Sequence, residues 1–191
     1  MNEPTDKPHS SDLRKGRISL AGCAYFITKC VRDTVSRPLA GEDCALRLVS
    51  SLIWARDHRW LRILGFVVMP DHYHALIAVR TARRLADVMA SMDKFTARQI
   101  NDLLGRRGSF WQDGFYEHML RDRADYDAIL AYVHNNPVEA GLAAAADVWQ
   151  YSTANPRYAH EIDREWLGPS LPKSRVCKHR FSADMVPMRF R

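Results

Sequence analysis

The chain has 191 residues, 47% of them hydrophobic and 26% charged, with a formal net charge of +6. That length can bury one full core and still carry tails, so one domain is expected rather than two. The composition is that of a globular protein, not of a fibrous or disordered chain, and no apolar run approaches a membrane span.

Residues 1–16 are polar, with Pro4 and Pro8, and basic at Arg14 and Lys15, with Arg17 next in line. They are expected to form a flexible basic arm. Nothing in them resembles a secretory signal, so a cytoplasmic protein is expected. Residues 18–31 are rich in β-branched and aromatic side chains and predict a first strand, with Gly22 at a bulge. Over residues 42–58 the apolar positions Cys44, Leu46, Leu48, Val49, Leu52, Ile53 and Trp54 recur at helical spacing. Residues 60–69 predict a second strand closed by Pro70, and residues 73–79 a third. The short turn between them implies a hairpin.

A second helix is predicted over residues 85–104. Val88, Met92, Phe95, Ile100 and Leu103 form its buried stripe, and Gly105 is its stop signal. A turn at 109–114 leads to a fourth strand over 115–120. Asp122 then reads as an N-cap, with Asp125 three residues on, opening a helix through Tyr126, Ile129, Leu130 and Val133. Pro137 is expected to stop it near Asn136. Beyond Gly141 the periodicity is lost. Residues 148–152 are expected to pack back on the core, and residues 156–191 to form a mostly extended basic tail.

The order β-α-β-β-α-β followed by a further helix is the ferredoxin-like split pattern of an α+β protein. It predicts a four-stranded antiparallel sheet with two helices on one face, spanning residues 17–155. The third strand lies centrally, and the extra C-terminal helix lies across the sheet. Cys23, Cys30, Cys44 and Cys177 show no metal-type spacing and read as thiols without a redox or metal role. Positive charge clusters at Arg14, Lys15 and Arg17, at Arg80, Arg83 and Arg84, at Arg106 and Arg107, and from Lys173 to Arg191. Such runs are often only solvated faces, but several on a small chain favour a polyanionic partner, most simply nucleic acid.

Two constellations carry chemistry. In Val68-Met69-Pro70-Asp71-His72-Tyr73-His74 the strand period turns His72 and His74 to one face and Tyr73 to the other. Two imidazoles side by side make half of a divalent metal site, the alternative being two solvated histidines. Tyr132 and Asn136, four residues apart, share one helix face. A tyrosine can serve as a covalent nucleophile, and an amide oxygen can bind a hard cation. The alternatives are a packed aromatic and a helix C-terminus.

The combination resembles a known family. His72-Tyr73-His74 resembles the HUH motif of single-tyrosine nucleases, with Tyr73 where an aliphatic residue is common. Phe110-Trp111-Gln112, Phe115-Tyr116-Glu117-His118 and the stretch from Tyr132-Val133-His134-Asn135-Asn136-Pro137-Val138 to Gly141 resemble the REP-associated tyrosine transposases. These are relatives of the small single-tyrosine insertion-sequence transposases.

The resemblance implies His72, His74 and Asn136 as metal ligands and Tyr132 as nucleophile. It implies magnesium, or manganese, as cofactor. The implied activity is cleavage and rejoining of single-stranded DNA carrying a REP hairpin, through a 5′-phosphotyrosine intermediate. The implied form is a monomer, although the insertion-sequence relatives are dimers. Arg14, Lys15, Arg17, Arg83, Arg84, Arg106 and Arg107 are the candidate DNA contacts. Tyr116 is the serious rival nucleophile, since Tyr73 points to the wrong face and Tyr126 is rotated away from Tyr132. Glu117 and His118 match the family without an assigned role. A hairpin-binding protein that does not cut is the alternative, and it would need none of the four site residues.

Overall fold

The computed structural model describes residues 23–80 and 83–167. Gly22, the basic arm with Arg14, Lys15 and Arg17, and the tail beyond residue 167, with Cys177, lie outside the described residues.

Four strands, β1 (Ala24–Cys30), β2 (Leu61–Val68), β3 (His72–Val79) and β4 (Tyr116–Met119), form one sheet in the order β2-β3-β1-β4. All three pairings are antiparallel. Helices α1 (Glu42–Asp57) and α2 (Leu85–Leu103) interleave with the strands, and α3 (Arg123–Glu139) follows the last. This is the expected ferredoxin-like architecture.

Strand alternation sorts the core into two layers. Tyr25, Ile27, Tyr73, Ala75, Ile77 and Val79 face α1 and α2, where Leu48, Leu52, Val88, Met92 and Ile100 meet them. Phe26, Cys30, Leu76 and Ala78 face the opposite way, against Tyr126, Ile129 and Val133 of α3. The extra helix thus covers the face that α1 and α2 leave open.

Gly105, at φ 60, ends α2: Gly105 N–H donates to the Asp102 carbonyl and Arg106 N–H to that of Asn101. This is the left-handed turn in which glycine carries no Cβ penalty. The buried stripe of α2 differs from the predicted one. Phe95 and Leu103 are 47% and 44% exposed, whereas Thr96 is buried. The Thr96 hydroxyl donates to the Met92 carbonyl and accepts from Trp111 Nε1, so a polar residue occupies the core position with its hydrogen bonds met. Phe95, about 100° round the helix from Thr96, is turned outward.

The Asp122 side chain caps α3 by accepting from Asp125 N–H at 2.9 Å. The helix does not stop at Pro137 but runs to Glu139, with Pro137 inside its last turn. A proline there forfeits one hydrogen bond, and the true stop is Gly141, at φ 68. Its N–H donates to the Val138 carbonyl and that of Leu142 to the Pro137 carbonyl.

Residues 151–153 return along the free edge of β2. Val68 N–H donates to the Tyr151 carbonyl and Thr153 N–H to the Phe66 carbonyl. Packing continues beyond residue 155, contrary to the expected extended tail. Residues Pro156–Ala159 are helical, Tyr158 joins the helix-side core, and Asp163 bonds to both backbone groups of Ile63. Among the described residues no helix is long and apolar enough to cross a membrane.

Candidate active site

His72 and His74 stand at the start of β3 on the face covered by α3. Both are buried, His74 fully. Their Nε2 atoms lie 3.2 Å apart. His72 Nδ1 is 2.7 Å from Asp71 Oδ1, and His74 Nδ1 is 2.8 Å from Thr28 Oγ1. An ionised carboxylate only accepts, so the proton of this hydrogen bond is on His72 Nδ1, and in the neutral ring the lone pair is then at Nε2. Burial of Asp71 opposes its ionisation, but the hydrogen bond with His72 and the charges of His72 and Arg37 outweigh it. Its pKa therefore lies below the ordinary value. Burial, and the neighbouring His72, push the His74 pKa well below its usual range, which keeps that ring neutral.

Thr28 both donates and accepts, so it serves either tautomer of His74. With the His74 proton on Nε2, that N–H donates to His72. With the proton on Nδ1, it donates to Thr28, and two lone pairs then converge. Ring nitrogens fixed from behind by a carboxylate and a hydroxyl are the usual support of metal-ligating imidazoles.

Helix α3 brings the second constellation to the same place. The Asn136 amide nitrogen lies 3.3 Å from His74 Nε2. The Tyr132 ring is 5.3 Å from that of His74, and it meets Phe26 edge-on at 6.0 Å. All four candidate residues converge. No group of three or more His, Cys, Asp and Glu side chains among the described residues could hold a metal ion. The residue beside the histidine pair is an amide.

The rival tyrosines separate clearly. Tyr73 is buried in the other layer against Trp111, and burial there, with Asp93, raises its pKa well above the usual value. Tyr126 lies on a different line of α3 from Tyr132, as the helical rotation implied. It is buried beneath α3, with its hydroxyl donating to the Leu64 carbonyl at 3.0 Å and its pKa raised by burial to about 12. Tyr116 shares the site's face and lies 6.0 Å from Phe26. It pairs with Thr28, which pairs with His74 on its other side. Tyr116 therefore sits two strands from His74, about 10 Å in backbone spacing.

His118 Nε2 lies 2.9 Å from Asp125 Oδ2, fastening β4 to the start of α3. Arg106 and Arg107 follow the α2 terminus, in the loop whose Phe110 and Gln112 bond Arg32 and Cys30 at the histidine end of the sheet. Arg106 also lies over the Phe110 ring. Arg83 and Arg84 follow the other end of β3, roughly 23 Å from His72 at strand rise. There Arg83 stacks on Trp60 and Arg84 pairs with Asp87. The two arginine pairs are not brought together. Thr28 and Asp71 were missed from sequence. Asp71 had a signal, adjacency to His72; Thr28, 46 residues from His74, had none.

A split βαββαβ sheet with paired imidazoles on a central strand, met by a tyrosine and an amide from one helix, defines the class of single-tyrosine HUH proteins. The family model described as "Transposase IS200 like" matches residues 26–136, more than half of the chain, and the protein belongs to that family. Within it, the chain is similar to the REP-associated tyrosine transposase of Escherichia coli (strain K12). The two are 28% identical over 153 residues, 80% of this chain and 89% of that protein. A solved structure described as a REP-associated tyrosine transposase bound to a REP hairpin shares the fold. Its TM-score is 0.64 at 22% identity, over 87% of this chain and 97% of the other.

Proposed function

We propose that this transposase-family protein cleaves and rejoins single-stranded DNA at REP-type hairpins, with Tyr132 as nucleophile and a divalent cation, magnesium or manganese, as cofactor. The observation that carries the reading is the meeting of Tyr132 and Asn136, from one face of α3, with the Nε2 pair of His72 and His74.

The donor set fits a cation. Two Nε2 lone pairs converge once the His74 proton turns to Thr28. A half-turn of the Asn136 amide exchanges its nitrogen for its oxygen at nearly the same point. His72, His74 and Asn136 would hold the ion, and Asp71 and Thr28 would orient the rings. Bound there, a divalent ion supplies positive charge to a scissile phosphate.

The Tyr132 hydroxyl attacks phosphorus in line. The tyrosyl O–P bond forms as the phenol gives up its proton to water, the bond to the 3′ oxygen breaks, and that oxygen takes a proton from water and leaves as a 3′-hydroxyl. The phosphotyrosine retains the phosphodiester's energy, so a 3′-hydroxyl can reseal the strand. Arg106 and Arg107, at the histidine end of the sheet, are the better placed candidates for phosphate contacts near the scissile bond. Arg83 and Arg84 would touch DNA only at a distance.

The test is Tyr132→Phe, which removes one hydroxyl and keeps the ring. Cleavage of REP-hairpin DNA and the covalent adduct should both vanish, and peptide mapping of the wild-type adduct should find the nucleotide on Tyr132. An adduct on Tyr116, with Tyr132→Phe active, would refute the assignment.

A further inference from the structure

Helix α3 touches its surroundings along two separate lines. Ile129, Tyr132, Val133 and Asn136 look onto the sheet centre, toward Phe26 and His74. Tyr126, Leu130 and His134, at successive intervals of four, form a second line over β2.

Strand β2 is irregular where that second line meets it. Ile63 pairs with Ile77 and Gly65 with Leu76, so Leu64 is the extra residue of a bulge. The Leu64 carbonyl accepts the Tyr126 hydroxyl at 3.0 Å. Gly65 lies directly under Leu130, and a Cβ at Gly65 would come within 2.5 Å of Leu130 Cδ1. Beyond the bulge, Thr153 Oγ1 accepts Phe66 N–H at 2.9 Å and lies 2.9 Å from His134 Nε2. Thr153 N–H is in turn held by the Phe66 carbonyl. The helix is therefore gripped near its start by a bulge carbonyl and two turns later by a side chain mounted on the sheet edge. The grips are eight residues apart, about 12 Å along the axis.

Two such grips do what one cannot. A single contact leaves a helix free to roll or slide about it, whereas two on the same line fix rotation and register together. Tyr132 and Asn136 project from the neighbouring line, so a roll of α3 would move the tyrosyl oxygen and the amide in the same sense relative to His72 and His74.

We propose that His134 and Thr153, working with the Leu64–Gly65 bulge, form a clasp that sets the roll of α3 and so aims Tyr132 and Asn136 at the histidine pair. This rests on the reading of Tyr132 as nucleophile. His134 and Thr153 are positioning residues in that role: they bond to each other and act through the helix.

The experiment uses the full chain and a REP-hairpin oligonucleotide with magnesium, measuring hairpin Kd and single-turnover cleavage separately. His134→Phe keeps a planar ring and removes the hydrogen bond to Thr153; His134→Gln keeps an amide able to make one. A misaimed nucleophile loses rate without losing binding. His134→Phe is expected to lower the single-turnover rate by roughly 10- to 100-fold with Kd within about twofold, and His134→Gln to restore most of it. Thr153→Ser, which retains the hydroxyl, is expected to cleave at nearly the wild-type rate.

Wild-type rate in His134→Phe overturns the clasp. So does equal loss in the Phe and Gln variants. A fall of rate, hairpin affinity and melting temperature together would make His134 a fold residue only, and would also overturn it. Tyr132→Phe run alongside keeps the two claims apart. If it still cleaves, the nucleophile assignment fails; if it is dead while His134→Phe is fully active, only the clasp fails.

Discussion

Thr28→Val tests whether the histidine pair is built as a metal site. Thr28 and His74 are both fully buried and 2.8 Å apart, and valine reproduces the shape of threonine without its hydroxyl. The change strands one buried ring nitrogen, at a cost of about 1–3 kcal/mol. At roughly 2–4 °C per kcal/mol for a domain of this size, melting should fall by a few degrees in metal-free buffer. Loss of an outer partner of a ligating histidine typically weakens metal binding about 10- to 100-fold. Calorimetric titration with manganese should show that loss. The metal concentration for half-maximal hairpin cleavage should rise by the same factor, with near-normal cleavage at saturation. Thr28→Ser, which keeps the hydroxyl, should retain metal affinity. An unchanged manganese affinity in Thr28→Val, or equal losses in the Val and Ser variants, would refute the role given to this hydroxyl.

Three further outcomes are expected. His72→Ala and His74→Ala should abolish metal-dependent cleavage while leaving hairpin affinity within a few-fold, measured in parallel; full activity in either would remove the metal site from the reading. Lys29→Met should destabilise the fold by about 3 kcal/mol in denaturant titration. Lys29 is 4% exposed at its side chain and holds Asp93 and the carbonyls of Gln112 and Gly114, so its loss leaves three acceptors without their donor. A shift under 1 kcal/mol would mean that water replaces the ammonium at little cost. Deleting residues 1–16 or 172–191 should reduce the salt dependence of hairpin binding by roughly 0.7–0.9 in log–log slope for each phosphate no longer neutralised. Unchanged slopes in both deletions would confine the basic grip to residues between them.

Much of the molecule follows from periodicity alone. Alternation along β3 places Tyr73 on one face and the two histidines on the other, and a spacing of four puts Tyr132 and Asn136 on one side of α3. Asp122 as a cap and Gly105 as a stop are equally local. These effects act within one strand or one turn, where backbone geometry decides without reference to the rest of the chain. Where local rules competed, they misled. Pro137 looked like a terminator, yet one lost hydrogen bond in a last turn is tolerated and Gly141 does the stopping. Phe95 looked like core, yet Thr96 takes that place because Trp111 and Met92 satisfy its hydroxyl.

The contacts that turn these elements into a site belong to tertiary structure. Thr28 meets His74 across 46 residues, Asn136 meets His74 across 62, and Tyr126 reaches the Leu64 carbonyl across 62. Each depends on which strands are neighbours, on the register that pairs Thr28 with His74, and on one extra residue in β2. The same packing separates Arg106 and Arg107 from Arg83 and Arg84, which as sequence were equivalent basic pairs. A chemical group announces itself in sequence when its partner lies within a turn or a strand. A partner brought by chain reversal leaves no local periodicity, and only the folded sheet and the helix laid across it bring the two together.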